Sequence, residues 1–355
     1  MKHEVTSDLN DELIKDVDMI ELENVLKSSQ KRRSPGKDGM NVEFYLQFWP
    51  IIKNTMLEVI NYMKNNYIHY QQKEGVMVLI PKKKYPKRPD DFRPITLLNV
   101  DYKLFTRLLA CRLRKMIHTC IHENQGAVIP GYCATLDLIK IRKFIEHVSA
   151  NRLLACLISI DFTSAIDKIT HQYLYKVLEK KGFHPKFISL IRHCYTHATT
   201  QCQVNGFLSR PFEIARGIRQ GCPMSVLLFA IAVDPLISKL SSQLQGIEIN
   251  NNHFAATAYV DDLNFVLMNQ SESLIAMNLL NSYCHSSASE INTMKSTALA
   301  LGTWNTHFAL DFPYVDSSKI LGIKFSTELQ NTQQLTFLPI VNTIKGICQE
   351  KNCEN

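Results

Sequence analysis

Two apolar runs, Phe254 to Val260 and Leu263 to Met268, are separated only by Asp261-Asp262. Runs this short and this close bury themselves most simply as an antiparallel hairpin with an acidic tip. A chain folded around such a hairpin places paired carboxylates on the rigid ends of two strands. Hard divalent cations such as Mg²⁺ take oxygen ligands held in that way. The dipeptide alone decides little, because Asp90-Asp91 lies among Pro89, Phe92 and Pro94, a turn setting in which aspartates are simply solvated. The hairpin therefore needs an acidic partner elsewhere.

The run Leu153 to Ile160 supplies one. It reads as a buried strand that delivers Asp161 at its C-terminal end, with Ala165, Ile166 and Asp167 following as the chain turns toward a helix. One carboxylate at a strand end and a pair on a neighbouring hairpin can hold two cations about 3.5–4 Å apart, the arrangement of in-line phosphoryl displacement. Asp161 could equally cap the helix that follows.

Charge gives the hairpin a context. The net charge of +7 is modest, but residues 71–120 hold twelve Lys/Arg against four Asp/Glu, so the excess is concentrated there and the rest of the chain nearly balances. Positive charge beside an acidic metal site suits a polyanionic substrate; the alternative is a solvated basic surface. With 355 residues, 45% hydrophobic and 21% charged, the chain is globular and large enough for two or three subdomains. Its ten cysteines are scattered, and Cys348 and Cys353 have no histidine nearby, which points to reduced thiols rather than zinc. His118 with His122, and His193 with His197, lack an acidic or cysteine ligand in register and read as surface pairs. The apolar stretches fall far short of a bilayer span, and Met1-Lys2-His3-Glu4 resembles no signal peptide, so the expected location is cytoplasm or nucleus, with no membrane partner.

The remaining elements follow from periodicity. Asp16 to Ser29 places Met19, Leu22, Val25 and Leu26 on one helical face; Phe48, Ile52, Met56, Ile60 and Met63 form another, with Pro50 in its first turn. Between them, Lys31 to Gly39 is a basic turn suited to a phosphate, or else an import signal or a plain loop. Gly75 to Ile80 is a strand ending in Pro81-Lys82-Lys83-Lys84. A helix over Tyr102 to Ile117 carries Arg107, Arg112, Arg114 and Lys115 away from its apolar face, and Leu138 to Val148 is helical again. Asn205-Gly206 marks a hairpin within Thr200 to Phe212. The loop Gly217 to Ser225, whose glycines allow close backbone approach, then feeds an apolar helix over Val226 to Leu240 with a kink at Pro235.

In this order the parts resemble the reverse transcriptases of non-LTR (LINE-like) retrotransposons over residues 20 to 325. Ser34-Pro35-Gly36-Lys37-Asp38-Gly39 is similar to the family's entry motif, Ile80-Pro81-Lys82-Lys83 and Phe92-Arg93-Pro94-Ile95 to its finger strands, and Asn124-Gln125-Gly126 with Pro130-Gly131 to the next loop. Asp161 with Ala165 and Asp167 resembles motif A, Arg219-Gln220-Gly221-Cys222-Pro223 motif B, Ala258-Tyr259-Val260-Asp261-Asp262 motif C, and Asn292, Lys295 and Ser296 motif D. Ile320-Leu321-Gly322-Ile323 resembles the primer-grip turn.

The resemblance implies an α+β right-hand polymerase fold: a helical extension over 1–30, fingers and the start of the palm over 31–152, a palm with an antiparallel sheet over 153–326, and a partial thumb over 327–355 in which Leu335, Leu338, Val341 and Ile344 form one helix. It implies an RNA-directed DNA polymerase, with RNA template, DNA primer and deoxynucleoside triphosphates as partners and two Mg²⁺ ions, or Mn²⁺, as cofactor. Asp161 and Asp261 would ligate the metals with Asp262 in support, and Lys295 would be the acid for departing pyrophosphate. Lys82 and Arg93 would grip the incoming phosphates, Ile166 would lie beneath the nucleotide sugar, and Gln220 and Gly221 would line the template base and sugar where the nucleotide binds. Lys37, Arg219, Leu321 and Gly322 would contact template and primer.

Three features depart from the family. Ile166 stands where Phe or Tyr usually excludes a 2′-hydroxyl, Tyr132 replaces a common arginine after Pro130-Gly131, and the sequence shows neither an endonuclease before this region nor a Cys/His segment after it. A decayed or co-opted copy that binds RNA or DNA without polymerising is therefore the alternative function, and an intron-maturase-like role a more distant one.

Overall fold

The computed structural model describes residues 5–249, 252–304 and 310–328, together with 331 and 336. The helix expected from Leu335, Leu338, Val341 and Ile344, and the pair Cys348 and Cys353, lie outside the described residues. Two compact units divide the chain: Met1–Ile121 with Ile166–Val233, and His122–Ala165 with Asp234–Asn355.

In the first unit the helix Met19–Lys27 starts where the Asp18 side chain accepts the Glu21 N–H, and it buries Leu22, Val25 and Leu26. The helix Val42–Asn65 is capped in the same way by Asn41 and buries Tyr45, Trp49, Met56, Ile60 and Met63. Two expectations are corrected here. Pro50 lies inside this helix rather than in its first turn, because the Asn41 cap starts the helix well upstream of the apolar spacing. Phe48, expected in the core, is 39% exposed and rests on Phe44 at a ring separation of 4.9 Å. The helix Val100–Cys120 forms the centre of the unit through Tyr102, Leu104, Phe105, Leu108, Leu109 and Leu113. Arg112, expected on its outer face, is instead buried. Its guanidinium is bidentate to Glu21 at 2.8 and 2.6 Å and donates to the carbonyls of Leu13, Lys15 and Asp16, all more than ninety residues away in sequence, which local periodicity cannot reveal.

The sheet of this unit has the order Phe92–Leu98, Gly75–Pro81, Thr199–Val204, Phe207–Leu208, with Phe212–Glu213 also pairing to Thr199–Val204. Gly75–Pro81 is antiparallel to Phe92–Leu98 and parallel to Thr199–Val204. Asn205 and Gly206 both take positive φ, 50° and 85°, as a two-residue hairpin turn requires.

In the second unit the strands Thr297–Gly302, Leu154–Ile160, Asp262–Leu267 and Ala256–Tyr259 form one antiparallel sheet in that order. The helix Ala134–Asn151 lays Ile141, Phe144, Ile145 and Val148 on Leu157, Val266, Leu299 and Leu301. At about 1.5–3 kcal/mol for each fully buried aliphatic or aromatic side chain, this layer is what holds the strand ends in fixed register. The loop after His122 closes the outer edge: Asn124 O accepts the Ala258 N–H at 2.8 Å, and Gln125 bridges to Ala258.

The helix Ser225–Gln243 corrects the expectation about apolar length. It runs for 19 residues with mean hydropathy 1.5, long and apolar enough by length and composition to cross a membrane, because it continues through Asp234, Pro235 and Lys239, which interrupt the apolar run in the sequence. It is 67% buried inside the protein, as a core helix is. The eight cysteines among the described residues are all free thiols.

Candidate active site

The acidic hairpin forms as its apolar flanks require. Tyr259 pairs with Asp262, so Val260 and Asp261 alone make the turn and Asp262 is the first residue of the returning strand. Val260 takes φ 58°, a left-handed conformation that costs a β-branched residue roughly 1–2 kcal/mol and is held by the ladders on both sides. On the neighbouring strand Ile160 pairs with Leu263, which brings Asp161 to the same end of the sheet as Asp262.

The charges at this end repel one another. The Asp262 carboxyl is pushed up to about 6, first by the atoms crowding its base and then by the negative charges of Asp261 and Asp161. Its residue surface is nonetheless open to solvent, so the crowding leaves one side of the carboxylate accessible. Lys295 Nζ approaches Asp161 Oδ2 at 4.0 Å, both side chains being well exposed, so it offsets this charge only weakly.

Asp161 is braced through its backbone. Its N–H donates to Ser296 Oγ at 3.0 Å, and its carbonyl accepts the Asn292 N–H at 2.8 Å. The next residues continue the clamp, with a Phe162–Ile291 bridge and a Thr163 N–H to Glu290 O bond of 2.8 Å. Ser296 is fully buried. Sequence reasoning placed Ser296 in a motif without giving it a task; the small hydroxyl immediately before the strand Thr297–Gly302 was the only signal.

An all-oxygen set of crowded, weakly compensated carboxylates suits a hard cation. Among the described residues no three His, Cys, Asp or Glu side chains make a ready-formed metal cage. Mg²⁺ asks less of a protein than such a cage, because it keeps several waters and is held by one or two carboxylates together with substrate phosphates.

The first unit contains the other group of expected site residues. The Gln220 amide nitrogen donates to both oxygens of Asp167, at 2.9 and 2.8 Å, while its backbone carbonyl accepts the Thr96 N–H at 2.9 Å. Ile218 N–H donates to Ile166 O and Gly217 N–H to Ile169 O, each at 2.8 Å. Two glycines make this contact feasible. Gly217 (φ 86°) lies so close to Asp167 that a Cβ would sit 2.4 Å from its carbonyl oxygen, and at Gly221 (φ 109°) a Cβ would sit 2.3 Å from Thr96 O. Burial raises the Asp167 carboxyl above its usual range, against the Gln220 hydrogen bonds and the positive charge of Lys82. Asp167 and Gln220 line a cavity of about 310 Å³ together with Met77, Pro94, Thr96 and Phe212.

Arg219 is placed differently from what a template contact requires. It is 4% exposed, donates to Lys73 O at 2.6 Å and Thr199 O at 3.4 Å, and lies over the Tyr102 ring at 5.8 Å, so it ties the loop to the sheet. Lys37 pairs with Glu74 at 2.9 Å. Lys82 and Arg93 are exposed, Arg93 on the strand position opposite Ile80, and Ile166 is half-buried. Leu321 and Gly322, with φ 47° and 89°, form the two-residue turn between Ser317–Ile320 and Ile323–Ser326 in the second unit.

Tyr132 has a task of its own. Its hydroxyl donates to Asp137 Oδ1 at 2.6 Å, and Asp137, 1% exposed in the first turn of its helix, also accepts from Thr257 Oγ1 on the hairpin strand. Lys140 Nζ stands 3.4 Å from the Tyr132 oxygen and bonds Asn124 Oδ1 at 3.3 Å.

A family model described as reverse transcriptase (RNA-dependent DNA polymerase) matches residues 80–325. The chain is 28% identical over 317 residues to the Transposon TX1 uncharacterized 149 kDa protein of Xenopus laevis, which covers 87% of this chain and 24% of that protein. It is 29% identical over 231 residues to the Pol polyprotein from type-2 retrotransposable element R2DM of Drosophila melanogaster, covering 65% and 21% respectively. It thus spans about a quarter or less of the length of these relatives. Among solved structures, apo telomerase from Candida tropicalis superposes with a TM-score of 0.52 at 14% identity, covering 80% of this chain and 52% of that one, a likeness of fold alone. The chain belongs to the reverse transcriptase family and, within it, to the enzymes of non-LTR retrotransposons.

Proposed function

We propose that this chain carries out RNA-directed DNA synthesis by nucleotidyl transfer with two divalent cations, Mg²⁺ in the first instance. The observation that carries the reading is the strand register that brings Asp161, Asp261 and Asp262 to one sheet end, where burial first, and then the charges of Asp261 and Asp161, push the Asp262 carboxyl up to about 6. Asp161 and Asp261 would hold the cations, with Asp262 beside them. When bound, the cations supply acidity to the primer 3′-hydroxyl and neutralise the triphosphate. The chain's own cations complete the chemistry: Lys82 and Arg93 would grip the triphosphate, and Lys295 would donate a proton to the departing pyrophosphate. Gln220 and Gly221 would line the nascent base pair. RNA template, DNA primer and deoxynucleoside triphosphates follow as partners, with work in the nucleus or cytoplasm.

A primer-extension assay on an RNA template tests this directly. Extension should require Mg²⁺ or Mn²⁺, and Asp261→Asn should reduce it to background, a loss of at least about 10³-fold, while the affinity for primer–template stays within about twofold. Extension by the Asp261→Asn protein at the parental rate would refute the metal assignment. Salt-dependent binding without any extension by the parent protein would select the binding-only alternative.

A further inference from the structure

The Asp167 carboxylate and the Gln220 amide face each other in the first unit, and the chemistry of the pair is asymmetric. An ionised carboxylate only accepts, so the end of the amide that faces it must be the NH₂. Gln220 Nε2 lies 2.9 and 2.8 Å from the two carboxylate oxygens, which leaves Oε1 as the end not engaged by Asp167. Both residues line the same cavity of about 310 Å³, so the amide is tethered at a place with room for a ligand group. The backbones at both ends of the contact are fixed as well. Gln220 O accepts from Thr96, Ile218 N–H reaches Ile166 O, and Gly217 packs directly on the Asp167 carbonyl.

We propose that Asp167 is a positioning residue: it holds the Gln220 side chain in one orientation so that its amide oxygen is presented as an acceptor to the nascent base pair. This rests on the polymerase reading of the same site. A glutamine without such a tether samples many rotamers and both amide orientations, and loses that freedom only when ligand binds. Tethering removes most of that cost before the nucleotide arrives, so the benefit should appear as nucleotide affinity rather than as rate of the chemical step. The acceptor presented would suit a sugar hydroxyl or a base N–H of the pair being formed.

The test is a double-mutant cycle read by equilibrium affinity for the complementary deoxynucleoside triphosphate, on a dideoxy-terminated primer annealed to RNA, so that no turnover is needed. Asp167→Ala should weaken nucleotide affinity about tenfold with an unchanged Tm. Asp167→Asn, which keeps one acceptor oxygen for Nε2, should recover most of the loss. Gln220→Ala should cost about as much as Asp167→Ala, and the double variant should be no worse than Gln220→Ala alone. Additive losses, or a failure of Asp167→Asn to rescue, would overturn the proposal. Extension from an ordinary primer, measured alongside, separates the two readings. A protein that binds nucleotide with the expected coupling but does not extend contradicts only the activity, whereas one that binds no nucleotide contradicts both.

Discussion

The acidic sheet end of the second unit and the Gln220 loop of the first are built on opposite principles. At the sheet end, position comes from backbone register, and the carboxylates are left facing one another with Lys295 at 4.0 Å as a weak counter-charge. In the loop, side chains are matched: Gln220 to Asp167, and Arg219 to two carbonyls and the Tyr102 ring. Unmatched negative charge on a rigid frame suits a cation, whereas matched polar groups suit recognition of a ligand by shape and hydrogen bonding. If this difference is functional, disturbing the frame at the sheet end should cost catalysis, and disturbing the loop should cost selection.

The frame is best broken at Ser296, whose hydroxyl takes the Asp161 N–H. Ser296→Ala leaves that partly buried N–H without its partner and loosens the backbone that carries the Asp161 carboxylate. Loss of a ligand's supporting hydrogen bond typically reduces metal affinity or activity by about 10–100-fold. The expected signature is a raised Mg²⁺ requirement in primer extension, partly overcome at high Mg²⁺, with nucleotide affinity little changed. An unaltered Mg²⁺ titration would show that register alone holds Asp161.

On the loop side, Ile166 gives the next effect. Its backbone is held by the Ile218 N–H, so a substitution changes the side chain and not the path of the chain. A branched aliphatic fills less of the space beneath a sugar than a ring does, so the parent should reject ribonucleotides poorly. Ile166→Phe should improve discrimination between deoxy- and ribonucleoside triphosphates by roughly tenfold, a gain of about 1.4 kcal/mol, with catalysis of correct incorporation largely preserved. Equal discrimination by the two proteins would remove Ile166 from the sugar pocket.

The same contrast explains what the sequence discloses. The acidic hairpin, its Asp161 partner and the Asn205-Gly206 turn are local patterns, and the observed strands carry them, although the hairpin turns at Val260-Asp261, one residue earlier than the apolar runs suggest. The loop's working contacts are long-range. Gln220 meets Asp167 across fifty-three positions and Arg219 meets Lys73 across 146, so a cation that sequence pattern assigns to a template is spent inside the protein. Arg112 was misplaced for the same reason: an arginine on a helix reads as a surface residue until Glu21 and three distant carbonyls are seen around it. Motif position identified Ser296 and Asp167, but their tasks depend on partners that no local window contains.

Tyr132 sharpens the comparison most finely, because it matches one oxygen of a second-unit carboxylate in the manner of the loop: Asp137 Oδ1 takes both donors, while its buried Oδ2 has none. Asp137 is buried beside the same sheet as Asp262, yet it accepts from Tyr132 and Thr257 and has the charge of Lys140 nearby. Burial raises its carboxyl, and the two hydrogen bonds and Lys140 act against that rise. Tyr132→Phe removes one donor and should cost about 1 kcal/mol, read as a Tm lower by roughly 2–4 °C at neutral pH. The sign of the pH dependence follows from linkage. A carboxyl raised in the folded state destabilises the fold at pH values above its folded pKa and ceases to do so once pH falls below the unfolded value, near 4. Losing the Tyr132 hydroxyl raises Asp137 further, so the gap between parent and variant should be widest at neutral pH and narrow as the medium is acidified. Lys140 and Glu123, the other charged groups acting on this pair, are present in both proteins, so the difference between parent and variant isolates the hydroxyl. A gap that is constant from neutral to acidic pH would mean that Tyr132 contributes packing alone, and that Asp137 is no better matched than the carboxylates at the hairpin tip.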